Sequence, residues 1–157
     1  MRKVVVITDG SRGIGAATAC LAVEHGYAVC RIYKSNQVAA QQVVDSIAAK
    51  GGEALAVPAD IALEKDVVRL FETAEERLGP ITGLVNNAAI LEQQMRVEDM
   101  DFERLHRVFS TNVLGSFLCA KEAVKRMSTR RGGIGGAIVN VSSAAARLGA
   151  AGEYVDY

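Results

Sequence analysis

Cysteine is scarce in this 157-residue chain: Cys20, Cys30 and Cys119 are odd in number, far apart and without a CxxC pair. That spacing argues against a disulfide framework and against a thiolate zinc site, and it sets the expectation of a reducing, cytoplasmic home. Net charge is missing too. Eighteen basic and 18 acidic side chains cancel, so no global field draws the chain toward nucleic acid or an anionic membrane. No apolar stretch approaches the roughly 20 residues of a membrane span, and Met1 to Val6 is too short for the apolar core of a signal peptide. His25 and His106 are isolated from each other and from any acid and nucleophile in triad order, so no metal site is expected. The basic cluster Lys121, Lys125, Arg126, Arg130 and Arg131 falls at a helix end, where cations complement the negative dipole terminus, and does not imply a nucleic-acid partner. A linker, a low-complexity segment and a second domain are all lacking.

What is present is apolar and periodic. Half the residues are hydrophobic, and a chain of this length buries on the order of two-thirds of the surface its unfolded form exposes, so residues 1–157 are expected to form one domain. Val4 to Ile7 reads as a strand, and Gly13 to His25 as a helix carrying Ile14, Ala17 and Leu21 at helical spacing, with Gly26 at its C-terminus. The unit repeats: strand Ala28 to Tyr33, then helix Val38 to Lys50 with Ala40, Val43, Val44 and Ile47 on one stripe, closed by Gly51 and Gly52. Glu53 to Val57 is a third strand. Leu63 to Leu78 is a helix with Val67, Leu70, Phe71, Ala74 and Leu78 inward, and Ile81 to Asn86 is a fourth strand after the Gly79-Pro80 break. A long helical stretch, about 97–127, sets Phe102, Leu105, Phe109, Val113 and Phe117 near one side. The loop Arg130 to Gly136 leads to a fifth strand, Ala137 to Ser142.

Strands alternating with helices imply parallel strands joined by right-handed crossovers, with helices on both faces. The expected fold class is α/β, a doubly wound parallel sheet of the Rossmann-like kind, with its ligand crevice at the carboxyl ends of the strands. The turn "TDGSRGIG" at 8–15 fits that crevice. Glycines let backbone N–H groups approach a pyrophosphate, and the positive end of the following helix attracts it.

Six ordered stretches carry a resemblance: "TDGSRGIG" at 8–15, "AD" at 59–60, "NNAAI" at 86–90, "STNVLG" at 110–115, "IVNVSS" at 138–143 and the closing Tyr157. In order and spacing, over the whole chain, they resemble the short-chain dehydrogenase/reductase family, most of all bacterial reductases of the oxoacyl-carrier-protein reductase and glucose-dehydrogenase-like branch. The resemblance implies an NAD(P)-dependent oxidoreductase that interconverts a small-molecule carbonyl and alcohol by hydride transfer. By position, Thr8, Gly10, Ser11, Arg12, Gly13, Ile14 and Gly15 would hold the pyrophosphate, Asp60 and Ile61 would flank the adenine, and Asn87, Ala88 and Ala89 would line the ribose and nicotinamide side. Asn86 would brace the sheet. The second strand ends in "RIYKSN" at 31–36, without the acid that binds a ribose 2′-OH; with Lys34 there and Arg12 in the turn, NADP(H) is favoured and NAD(H) is the alternative.

The catalytic roles of the family fall on Asn112, Ser143 and Tyr157. Ser143 precedes Tyr157 by one residue more than the commonest family spacing, so Ser142 stays open as the alternative hydroxyl; Tyr154 is read as a wall of the substrate loop. A free tyrosine ionises about three pH units above neutrality. The family's lysine, four residues after the tyrosine, would lie past position 157, so the chain is expected to be C-terminally truncated, without the last strands of the family fold and with little turnover of its own. The second reading is a non-catalytic nucleotide-binding or assembly module. The resemblance also implies a homodimer or homotetramer formed through the 97–127 helix.

One residue departs from the pattern where it matters. The first glycine position of the turn is Asp9. Aspartate tolerates left-handed backbone better than most side chains, so the turn is expected to form. Its charge is the larger problem: a carboxylate about 5 Å from a phosphate costs on the order of 3 kcal/mol at an effective dielectric near 20. From sequence alone, Asp9→Gly is therefore expected to tighten dinucleotide binding roughly tenfold or more.

Overall fold

A computed structural model describes residues 3–10 and 13–149. Five strands, β1 (Lys3–Ile7), β2 (Tyr27–Tyr33), β3 (Ala54–Pro58), β4 (Ile81–Asn86) and β5 (Ala137–Asn140), form one parallel sheet in the order β3-β2-β1-β4-β5. The first strand is thus central, and chain order reverses between β1 and β4, where an open α/β sheet leaves a crevice at its carboxyl edge. This is the doubly wound, Rossmann-like architecture.

The strands are short apolar runs because both faces are covered. Alternation sends Val4, Val6, Ala28, Cys30 and Ile32 to one face, where they meet Val67, Leu70, Phe71 and Ala74 of α3 (Glu64–Leu78) and Cys119, Ala123 and Met127 of α5 (Ser116–Met127). Val5, Ile7 and Val29 go to the other face, against Ala19 of α1 (Gly13–Glu24) and Ile47 of α2 (Gln37–Ala49). Burial pushes the Cys30 and Cys119 thiols up to about 12, so both are inert apolar fillers.

The inner stripe of α3 is the one its sequence period predicts, with Val67, Leu70, Phe71 and Ala74 buried. Two other helices turn differently. In α1 the buried residues are Gly15 and Ala19, while Ile14 and Leu21 are 64% and 55% exposed. This helix is apolar nearly all round, so its small residues, which admit the closest approach to the sheet, decide which side packs. Helix α4 (Phe102–Val108) runs through a π-helical segment, Phe109–Gly115, into α5. Along it Phe102, Phe109, Val113 and Phe117 are exposed, and Arg104, Val108, Cys119, Ala123 and Met127 are buried. The period found the aromatic stripe, but that stripe faces away from the sheet. The last short helix, α6 (Ala145–Leu148), follows β5, which ends at Asn140, two residues earlier than its sequence suggests. Among the described residues no helix is long and apolar enough to cross a membrane.

Candidate functional site at the carboxyl edge of the sheet

The strand ends deliver the quoted stretches to one edge. Thr8 follows β1 and is 1% exposed. Its backbone N–H continues the ladder to the Val85 carbonyl at 3.0 Å, and its hydroxyl oxygen accepts from the Asn87 and Ala88 N–H groups at 2.9 and 2.8 Å. Asn87 answers from β4 by donating Nδ2 to the carbonyls of Thr8 and Asp9 at 3.1 and 3.0 Å. The turn after β1 and the turn after β4 are therefore one hydrogen-bonded unit across the chain-order reversal. Asn86 braces the sheet: its Nδ2 donates to Asn140 Oδ1 at 2.9 Å and to the Ser116 carbonyl at 3.2 Å.

Asp9 has φ +48°, the one positive value at a non-glycine among the described residues. The left-handed turn thus forms with aspartate in place of glycine. Gly15 is required by packing: a Cβ there would collide with the Asp9 carbonyl oxygen and come within 2.7 Å of Asn87 Nδ2. The start of α1 is in this way drawn tight under the turn. Gly13, at φ +53°, opens the helix, and Ile14 lies exposed beside it. Ser11, Arg12, Tyr154 and Tyr157 lie outside the described residues.

Two cavities meet along this edge. The first, about 390 Å³, is lined by Asp9 after β1, Lys34, Ser35 and Asn36 after β2, Asp60 and Ile61 after β3, and Ala88, Ala89, Ile90 and Thr111. Lys34 Nζ lies 2.6 Å from Asp60 Oδ2. Asp60 is further fixed by the Ala62 N–H on its Oδ1 at 3.0 Å, and its own N–H donates to Asp66 Oδ2 at 3.0 Å. Burial alone would raise the Asp60 carboxyl, but the Lys34 ammonium and the Ala62 N–H outweigh it and hold the group below the usual carboxylate range. Ile61 is buried, 5% exposed.

The second cavity, about 650 Å³, shares Ala88 and Ala89 with the first and continues past Leu91, Phe109, Asn112, Val113 and Phe117 to Ser142 and Ser143. Asn112 sits in the π-helical segment, a widening of the helix often found at functional sites. Its side chain is held on both ends by one residue, accepting from the Ile90 N–H at 2.9 Å and donating to the Ile90 carbonyl at 3.0 Å. The Asn112 carbonyl accepts from the Ser116 hydroxyl at 3.1 Å. Ser143, partly buried, accepts the Ala145 N–H at 3.1 Å and so caps the last turn; Ser142 beside it is exposed.

The structure therefore brings Thr8, Asp9, Gly15, Lys34, Asp60, Ile61, Asn87, Ala88 and Ala89 around the first cavity and its turn, and Asn112 with Ser143 around the second. Sequence reasoning missed five contributors. Ile90 anchors Asn112 through its backbone, which no side-chain pattern signals. Phe109, Val113 and Phe117 wall the second cavity, although the sequence gives their helix to self-association. Arg31 is buried below the turn; its parity with Val29 in β2, which sends both to the α1/α2 face, was the available signal.

The chain matches the family model described as short chain dehydrogenase over residues 3–155. It is 53% identical to an uncharacterised oxidoreductase, YgfF, of Escherichia coli (strain K12), over 98% of this chain and 62% of that protein. It is 36% identical to a 3-oxoacyl-[acyl-carrier-protein] reductase of Synechocystis, over 96% of this chain and 60% of the relative. Among solved structures, a short-chain dehydrogenase/reductase from Serratia marcescens superposes with a TM-score of 0.88 at 30% identity, covering 98% of this chain and 60% of that one. The chain thus spans about three-fifths of the length of these relatives. With the fold, the turn and the two joined cavities in hand, the chain belongs to the short-chain dehydrogenase/reductase family.

Proposed function

We propose that residues 1–157 are the dinucleotide-binding part of an oxidoreductase that interconverts a small-molecule carbonyl and its alcohol, with NADP(H) favoured over NAD(H). The observation that carries this reading is the turn itself: Thr8 and Asn87 lock it to β4, and Gly15 leaves no room for a side chain beneath it. Such a cradle presents backbone N–H groups at a helix N-terminus and fits a pyrophosphate. When bound, the nicotinamide group would supply the hydride chemistry.

The chain's own residues then divide the work. Thr8, Gly10, Ser11, Arg12, Gly13, Ile14 and Gly15 hold the pyrophosphate, with Asp60 and Ile61 beside the adenine and Asn87, Ala88 and Ala89 toward the ribose and nicotinamide. Lys34 is 71% exposed, so its pair with Asp60 is weak enough for the ammonium to turn to a 2′-phosphate. Ser143, in the second cavity, orients the substrate oxygen, and Asn112, pinned to Ile90, supports the relay; Tyr157 takes the family's role of exchanging a proton with that oxygen. The exposed stripe of Phe102, Phe109 and Phe117 supports self-association into a homodimer or homotetramer.

Titration of the chain with NADPH and NADH, followed by cofactor fluorescence, tests the reading. NADPH is expected to bind more tightly than NADH, and Lys34→Ser is expected to lower the ratio. Failure of both cofactors to bind would overturn the nucleotide reading; tighter NADH binding would overturn the preference alone.

A further inference from the structure

Among the described residues, the large side chains that are fully buried are apolar with one exception. Arg31, in the middle of β2, is 0% exposed. It projects to the α1/α2 face, where its Nη1 donates to the Ala40 carbonyl of α2 at 3.2 Å. Its Nε and Nη2 have no hydrogen-bond partner among the described residues. Burial of a guanidinium with two idle donors is costly unless an anion offsets the charge. The surroundings of that guanidinium are specific: a Cβ at Gly10 would lie 2.9 Å from both Arg31 Cβ and Arg31 Nε and 3.5 Å from Nη2. The cation is therefore pressed against the backbone of the residue that follows Asp9.

Resting on the nucleotide reading above, we propose that Arg31 is a positioning residue, the internal counter-ion of the glycine turn. Its guanidinium beneath Gly10 offsets the Asp9 carboxylate so that the turn still receives a dinucleotide pyrophosphate. The electrostatics agree with the geometry. Burial pulls the Arg31 guanidinium below its usual range, and Cys20 and Asp9 are the groups that push it back. The two departures from an ordinary turn, an acid at its corner and a buried base under it, are explained together.

A double-mutant cycle decides the matter. NADPH is titrated against the parent chain, Asp9→Gly, Arg31→Met and the double variant, with a thermal melt of each. Arg31→Met is expected to weaken NADPH binding by roughly tenfold, Asp9→Gly alone to change it by less than about threefold, and the double variant to return within about threefold of the parent. The melts should follow the same coupling. Asp9→Gly strands a buried cation and lowers Tm by about 4 °C or more, and adding Arg31→Met recovers it. A roughly tenfold tightening by Asp9→Gly, the same with or without Arg31, would overturn the proposal. If none of the four chains binds dinucleotide, the nucleotide reading fails and the melts still decide the pairing: additive Tm shifts refute it, coupled ones uphold it. Should Arg31→Met not fold, the melts of Asp9→Gly and Asp9→Asn decide: both lower Tm if the buried guanidinium relies on that charge, and an unchanged Tm in both overturns the proposal.

Discussion

On the α3/α5 face of the sheet, Val4, Val6, Leu70 and Phe71 pack as an apolar layer whose buried charge is fully answered. Glu122, 4% exposed, is bound by Lys125 and Arg126 at 2.6 Å each. On the α1/α2 face the apolar layer is smaller, small residues make the close contacts, and the buried charge is Arg31 with two idle donors. Both faces bury an ionic group, yet only one satisfies it locally. The buried guanidinium of the second face lies against Gly10 of the glycine turn. The turn is thus carried by the thinner face, while both cavities are bordered by the thicker one, through Ile61 in the first and Ala120 in the second.

That contrast makes ordered claims. Phe71→Ala should cost the most, about 3–5 kcal/mol in denaturant unfolding, because a ring with no exposed surface is removed from the closed layer. Ile47→Ala on the opposite face should cost less, near the lower end of ~2–5 kcal/mol, since that layer is thinner and closes more readily over a void. Equal losses would erase the distinction between the faces.

Gly15→Ala should act mainly on binding. The added methyl meets the Asp9 carbonyl and Asn87 Nδ2, so the turn must shift, with ~1–3 kcal/mol of strain and at least a roughly tenfold weaker NADPH complex by titration. A lowered Tm with unchanged NADPH affinity would show that Gly15 serves packing and not the ligand.

The smallest effect belongs to the rim. Asp60 has a lowered carboxyl, so the stabilisation from its Lys34 partner is present above the unfolded value near 3.9 and is lost as pH falls through the lower folded one. Lys34→Met should therefore cost no more than about 1 kcal/mol at pH 7, and the stability curves of variant and parent should converge at acid pH. A gap that persists there would mean that Lys34 acts by packing.

Much of this organisation is legible in the residues. The fourth strand is found where its Gly79-Pro80 break and apolar run put it, and α3 turns the face its period predicts, because polar and apolar residues separate cleanly along it. The 102–127 stretch shows the limit of the method. An apolar stripe at helical spacing reveals a helix, but whether the stripe meets a sheet, a cavity or another surface depends on the neighbours. In α1 the sequence has no clean stripe, and closeness of approach, set by Gly15 and Ala19, takes over. The site was readable as a set of motifs; their coupling was not. The Thr8 hydroxyl joins two turns 79 residues apart, and Arg31 acts on Asp9 from the next strand, relations that exist only once β1, β2 and β4 are side by side.

The strand order also has a consequence for the chain in time. Val4 to Ile7 is made first, yet its register partners on one side, from Ile81 to Val85, are made roughly 80 residues later. At ~5–20 residues per second the central strand waits several seconds with one edge open on a ribosome. The sheet is thus finished from the middle outward only after its fourth strand emerges. During that interval an apolar four-residue segment, Val4 to Ile7, that is buried in the finished sheet is the part of these residues most in need of an escort.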